Sequence, residues 1–186
     1  MRVISGLLKG RSINFIKNST TRPLKDKVKE NIFNILKHSN LIEIKILDAN
    51  ILDLYSGIGS FGIECISRGA SKVTFIEQNT QAQEMLKNNL IKLSIFNKTT
   101  VYNDKIENYL DKNLVEKFHI FFFDPPFSDL SFIQNLLKIK KKKLYEKNHT
   151  IIIHRERKTK DKLQDILDII EIKEYGRSKI IFAKFK

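Results

Sequence analysis

Between residues 51 and 153 short apolar runs alternate with amphipathic stretches, and this rhythm limits the folds open to the chain more than any other feature. Ile51 to Tyr55, Lys72 to Ile76, Thr100 to Tyr102, Phe118 to Phe123 and Thr150 to Ile153 have strand lengths and are rich in β-branched and aromatic residues. Ser60 to Arg68, ended by Gly69, and Asn79 to Leu93, with Ala82, Met85, Leu86 and Leu90 on one side, repeat at helical spacing. Strands separated by helices need crossover connections, which make the strands parallel and cover the sheet on both faces. The rhythm breaks at the end. Ile169 to Tyr175 and Lys179 to Phe185 are joined only through Gly176-Arg177-Ser178, too short for a helix, so an antiparallel hairpin closes the chain. The expectation is an α/β, Rossmann-like fold with a seven-stranded, mostly parallel sheet.

Residues 1 to 22 mix short apolar stretches with Gly6, Gly10, Lys9, Arg11 and Lys17, a pattern that suits a basic hairpin and not a helix. From Pro23, which fits a helical first turn, Val28, Ile32, Phe33, Ile35 and Leu36 recur at helical spacing, while Lys25, Lys27, Lys29 and Glu30 fall largely elsewhere. The 186 residues suffice for one domain that buries about two-thirds of its unfolded surface. Residues 1–186 are therefore expected to form one domain, with 1–22 as a hairpin extension and 23–186 as the helix and core.

The segment Leu52-Asp53-Leu54-Tyr55-Ser56-Gly57-Ile58-Gly59-Ser60-Phe61-Gly62 sets three glycines at a strand-to-helix turn. Without Cβ atoms the backbone turns sharply and comes close to a ligand at the helix N-terminus. The same spacing fits a nicotinamide dinucleotide. Asp53 tilts the choice, because a carboxylate there repels a pyrophosphate and attracts the amino and sulfonium cations of S-adenosylmethionine. Glu77, at the end of the second strand, is placed to accept both ribose hydroxyls. Asp104 follows the third strand, where it either accepts from an adenine amine or caps a helix. Asp53, Ser56, Gly57, Gly59, Glu77 and Asp104 are the cofactor candidates.

Asp124-Pro125-Pro126-Phe127 follows the apolar strand Phe118 to Phe123 directly. Two prolines fix the backbone and remove two N–H donors, which leaves carbonyl acceptors on a rigid loop at the strand's C-terminal edge. An exocyclic base amine is a poor nucleophile, since its lone pair is delocalised into the ring. Accepting its hydrogens with the Asp124 carboxylate and the Pro125 carbonyl favours a tetrahedral nitrogen, and Phe127 can stack on the base. Asp124, Pro125, Pro126 and Phe127 are the catalytic candidates.

Charge points to the partner. With 34 Lys and Arg against 21 Asp and Glu the net charge is +13, a field that draws polyanions. Lys9, Arg11 and Arg22 are the candidate RNA contacts, whereas Lys138 and Lys140 to Lys143 read as a solvated face. The lone Cys65 excludes an internal disulfide and reads as core filler, and His38, His119, His149 and His154 lack ligand spacing, so no metal site is expected. No signal-like or membrane-spanning apolar run is present, which favours a cytoplasmic protein without membrane contact.

The glycine turn with Asp53, Glu77 and the Asp-Pro-Pro-Phe loop resembles the class I amino-methyltransferases. Arg2-Val3-Ile4-Ser5-Gly6, Lys9-Gly10-Arg11, Thr21-Arg22-Pro23, Asp26-Lys27-Val28-Lys29-Glu30 and Ile32-Phe33-Asn34 resemble the bacterial RsmD family of ribosomal RNA guanine-N2 methyltransferases. The likeness runs through nearly the whole chain, to Gly176-Arg177-Ser178-Lys179. Leu24 and Phe127 stand where that family more usually has Thr and Tyr. The resemblance implies S-adenosylmethionine as cofactor and small-subunit ribosomal RNA or the small ribosomal subunit as partner; a monomer is expected. Two other readings stay open: an adenine-N6 methyltransferase acting on DNA or RNA, and a non-enzymatic RNA-binding assembly factor.

Overall fold

A computed structural model describes residues 1–15 and 24–186. Its elements are α1 (Asp26–His38), β1 (Asn50–Leu54), α2 (Ser60–Ser67), β2 (Lys72–Ile76), α3 (Thr80–Lys92), β3 (Thr99–Tyr102), α4 (Ile106–Asp111), β4 (Phe118–Phe123), α5 (Phe132–Lys142), β5 (Tyr145–Glu156), β6 (Leu167–Tyr175) and β7 (Ser178–Phe185). The strands form one seven-stranded sheet in the order β3-β2-β1-β4-β5-β7-β6. β1 to β5 pair in parallel, and β7 pairs antiparallel with both β5 and β6. This is the Rossmann-like class I methyltransferase fold with its terminal hairpin.

Register matters more to the site than strand count. Tyr102, Ile76, Leu54, Phe123 and Ile153 align across five neighbouring strands. The residues that follow them, Glu77, Tyr55, Asp124 and His154 among them, therefore emerge side by side at the C-terminal edge. The strand order reverses between β1 and β4, which is where open α/β sheets bind ligands.

Two cores cover the sheet. On one face Ile32 and Phe33 of α1, Phe61 and Ile63 of α2 and Leu86 and Leu90 of α3 pack on Ile51, Ile120 and Phe122. Phe33, Phe61 and Phe122 stack in series at centroid distances of 5.2 and 4.0 Å. On the other face Tyr109 and Leu110 of α4 and Phe132, Leu136 and Ile139 of α5 pack on Leu52, Phe121 and Ile153. Each of these fully buried side chains stabilises the fold by about 1.5–3 kcal/mol. Burial on both faces explains why β4 reads as a nearly continuous apolar run, interrupted only by the half-buried His119.

α1 begins at Asp26, after Lys25, and Pro23 lies outside the described residues. Two features depart from the sequence reading. α4 and α5 join β3 to β4 and β4 to β5; the Lys140–Lys142 run is the last turn of α5, where cations suit the helix C-terminus. Lys29 is buried. Its ammonium lies 3.3 Å from the Arg2 carbonyl, 3.2 Å from Ser60 Oγ, 3.6 Å from Asp26 and 4.0 Å from Glu64. Burial lowers its pKa against the pull of Glu64 and Asp26.

The described part of the N-terminal segment is a docked hairpin, with Val3 N–H donating to the Arg11 carbonyl and Ile13 N–H to that of Met1, both at 2.9 Å. The buried Glu64 carboxylate accepts from Ile4 N–H at 2.8 Å and Ser5 N–H at 2.9 Å, which fixes the hairpin on α2. A Cβ on Gly6 would fall 1.8 Å from the Ser67 carbonyl oxygen, so only glycine allows this approach.

Candidate functional site

The glycine turn is held by two carboxylates. Glu77 Oε2 accepts from Gly57 N–H and Oε1 from Asn79 N–H, each at 2.7 Å, so one side chain braces the turn and the start of α3. Each oxygen keeps acceptor capacity for a further donor. Asp53, 1% exposed, accepts from Gly62 N–H at 3.0 Å through Oδ2, while its buried Oδ1 has no partner among the described residues. Burial pushes the Asp53 pKa up, and the charges of Asp124 and Glu77 add to the rise against the lowering by Gly62 N–H. Three carboxylates thus converge at one edge of a strongly basic chain.

The glycines have different reasons. A Cβ on Gly62 would come within 2.3 Å of Phe75 Cε1, so this glycine lets α2 sit on β2. Gly57, at φ +53°, has open space where a Cβ would be, so the backbone is bare on that side. Tyr55, just before the turn, holds φ +61°, an unfavourable conformation for a bulky residue and one that clusters at functional sites. Ser56 Oγ donates to the Ile76 carbonyl at 3.1 Å, so its hydroxyl ties the turn to β2.

The Pro-Pro loop is braced from the neighbouring strand. Asp124 Oδ1 lies 2.8 Å from His154 Nδ1. A carboxylate only accepts, so the ring proton sits on Nδ1, and the buried Nε2 has no partner among the described residues. Phe127 meets the His154 ring edge-on at 5.7 Å. Arg155, wholly buried, donates from Nη1 to the Pro126 carbonyl at 3.1 Å and from Nη2 to that of Phe127 at 3.0 Å. The same guanidinium binds Asp161 through Nε and Nη2, both at 3.1 Å, and lies over the Phe132 ring at 4.7 Å. Of the loop carbonyls, that of Pro125 accepts no hydrogen bond among the described residues.

The structure thus brings Asp53, Ser56, Gly57, Gly59, Glu77 and Asp124 to Phe127 to one edge. Asp104 also follows its strand there, but Lys105 N–H and Asn108 Nδ2 bind its Oδ1 at 2.8 and 2.7 Å, and these bonds with Lys112 hold its pKa down. Lys9 and Arg11 are exposed elsewhere: Arg11 Nη2 reaches the Lys92 carbonyl at 3.4 Å, beside the C-terminal end of α3, at the opposite edge of the sheet. Arg22 lies outside the described residues. Cys65 is buried in the core. An open depression of about 410 Å³ lined by Glu43, Asp48, His119 and Lys147 also lies at that opposite edge, apart from the site.

Sequence reasoning missed His154, Arg155, Asp161 and Tyr55. Position at the C-terminal end of the strand beside β4 is the signal that could have found the first two. Among the described residues no group of His, Cys, Asp and Glu is arranged to hold a metal ion, and no helix is long and apolar enough to cross a membrane.

Known proteins share this architecture. The yhhF protein of Escherichia coli superposes with a TM-score of 0.85 at 24% identity, covering 100% of this chain and 98% of that one. The ribosomal protein L11 methylase of Lactobacillus delbrueckii superposes at 0.65 with 12% identity, covering 83% and 76%, so the fold alone does not select a substrate. In sequence, the YlbH protein of Bacillus subtilis is 33% identical over 159 residues, 84% of this chain and 83% of that one. Ribosomal RNA small subunit methyltransferase D of Buchnera aphidicola from Baizongia pistaciae is 33% identical over 156 residues, 84% and 76% of the two chains. The family described as Conserved hypothetical protein 95 matches residues 1–184, and with these relatives it places the chain in the RsmD family.

Proposed function

We propose that the protein transfers a methyl group from S-adenosylmethionine to the exocyclic N2 amine of a guanine in small-subunit ribosomal RNA, and that residues 1–186 act as one domain. Membership of the RsmD family supports the ribosomal RNA substrate. The observation that carries the chemistry is the pair of acceptors left unused in the Pro-Pro loop, beside a buried carboxylate at the glycine turn.

The turn fits the cofactor. The orphaned Asp53 Oδ1 suits a cationic partner, the bare Gly57 backbone allows close approach, and Glu77 has lone pairs left for two ribose hydroxyls. Asp104 is the candidate acceptor for the adenine amine. When bound, S-adenosylmethionine would supply a sulfonium methyl group whose carbon an amine can attack, with the neutral thioether as leaving group. The rest is the work of the chain.

His154 occupies Asp124 Oδ1, and Arg155 occupies the Pro126 and Phe127 carbonyls. Asp124 Oδ2 and the Pro125 carbonyl remain, one acceptor for each amine hydrogen, and together they draw the nitrogen towards a tetrahedral geometry. The Asp124 carboxylate offsets positive charge developing on that nitrogen and is placed to take the proton it sheds. Phe127 stacks on the base, Lys9 and Arg11 supply phosphate contacts away from the reacting atoms, and Arg22 is a further candidate phosphate contact. The test is incubation with labelled S-adenosylmethionine and total RNA, followed by digestion to nucleosides. Label in N2-methylguanosine of small-subunit RNA is expected; label in N6-methyladenosine, or none, overturns the reading.

A further inference from the structure

We propose that the connection from β5 to β6 is a phosphate-binding shoulder for the RNA, coupled through Arg155 to the loop that holds the target base; this rests on the reading that the chain acts on ribosomal RNA. A base held over Phe127 brings its own sugar and flanking phosphates to the C-terminal edge of the sheet. Lys9 stands on the docked hairpin and Arg11 beside the far end of α3, so other cations must meet those phosphates. β5 ends at the site edge, and Arg157, Lys158, Lys160 and Lys162 follow it, all exposed.

Most acids nearby are already paired, Asp165 of the same connection excepted. Asp161 is bound by Arg155 at 3.1 Å, Glu156 by Arg177 at 3.3 Å and Glu174 by Arg157 at 3.8 Å. Lys158, Lys160 and Lys162 have no carboxylate partner among the described residues, so their charge is free for a polyanion. The turn that presents them is built and not slack. Thr159 donates its N–H to the Glu156 carbonyl at 3.1 Å and its hydroxyl to Asp161 at 3.0 Å, and Lys179 Nζ donates to the Thr159 carbonyl. A backbone held in this way loses little further freedom when phosphate binds.

Asp161 gives the shoulder its link to the site. Its carboxylate holds the guanidinium whose other donors hold the Pro126 and Phe127 carbonyls. The turn that carries the three lysines and the backbone at Phe127 are thereby tied to one buried arginine, so RNA gripped at the shoulder meets Phe127 in a set geometry.

The test is a titration of small-subunit ribosomal RNA against salt for the parent, for K158A/K160A/K162A, and for K117A/K141A/K147A, which removes equal charge from exposed positions at the opposite edge. The shoulder variant should flatten the slope of log affinity on log salt by about two to three, one per lost phosphate contact, and raise KM for RNA. S-adenosylmethionine affinity and Tm should not move. Parent-like slopes in the shoulder variant, or equal flattening in the opposite-edge variant, overturn the proposal. Methylation by the parent is scored in parallel: salt-dependent binding through the shoulder without methyl transfer sinks the enzymatic reading and leaves the surface standing.

Discussion

The two loops that meet at the site are held in opposite ways. The glycine turn is rich in backbone N–H groups, and carboxylates close in sequence secure it: Gly62 binds Asp53 nine residues back, and Gly57 binds Glu77 20 residues on. The Pro-Pro loop has given up its donors, so it cannot be secured that way. Apart from one turn bond, from Asp129 N–H to the Pro126 carbonyl at 2.8 Å, it is held by side-chain donors from the next strand, His154 30 residues away and Arg155 28 to 29 residues away. A loop that must offer bare acceptors to a substrate has to borrow its donors from elsewhere in the chain.

If this contrast is right, the largest effect comes from removing the borrowed donors. Arg155→Met leaves the Phe127 carbonyl without its donor and strips the buried Asp161 carboxylate of its charged partner, keeping only the Thr159 hydroxyl there and Asp129 N–H on the Pro126 carbonyl, and should lower stability by about 3–5 kcal/mol in denaturant titrations. Arg155→Lys should keep part of the stability and lose the fork that holds two carbonyls at once. A Met variant as stable as the parent would show the brace to be idle. Next is Asp124→Ala, which should cut turnover by about a hundredfold or more while S-adenosylmethionine affinity changes little. Asp124→Asn keeps an acceptor oxygen without the charge and should retain part of the rate. Full turnover in the alanine variant would remove the loop from methyl transfer.

Smaller effects sharpen the other side. Glu77→Ala should weaken S-adenosylmethionine by about 1–3 kcal/mol in calorimetry, because the turn loses a brace and the ribose loses an acceptor. Phe127→Ala should weaken base placement by about 1–3 kcal/mol, read as a rise in KM for RNA, with Phe127→Tyr nearly silent. An unchanged cofactor isotherm for Glu77→Ala would free the turn from its dependence on carboxylates.

The same contrast explains what the sequence made legible. Apolar periodicity located all seven strands, and β2 and β4 to the residue, because a buried parallel strand is a local pattern. The glycine turn and Asp-Pro-Pro-Phe were legible for the same reason. His154 and Arg155 were not, since one histidine and one arginine at a strand end acquire meaning only when Phe123 aligns with Ile153. Lys29 was misplaced because helical spacing cannot anticipate that a hairpin carbonyl and Glu64 would solvate its ammonium in the interior. α5 is hard to read from the sequence because the apolar spacing Phe132, Leu136, Ile139 is short and runs into the Lys140–Lys142 turn.

The smallest expected effect is also the most specific to the cofactor turn. Burial first, then Asp124 and Glu77, raise the Asp53 pKa above its ordinary 3.8, so the folded protein holds a proton there that an unfolded chain would release. Stability from this group is therefore greatest at low pH and declines as pH rises from 3.8 towards the raised value. A cation beside Oδ1 acts the other way, favouring the carboxylate and expelling the proton. Within that window S-adenosylmethionine binding should release up to about one proton, and affinity should rise by at most about tenfold per pH unit. Calorimetry in buffers of different ionisation enthalpy measures the release directly, and Asp53→Asn should abolish it while keeping an acceptor for Gly62 N–H. Buffer-independent heats for the parent across the window would mean that Asp53 does not face the cation, and the electrostatic case for a sulfonium cofactor over a pyrophosphate would lose its structural basis.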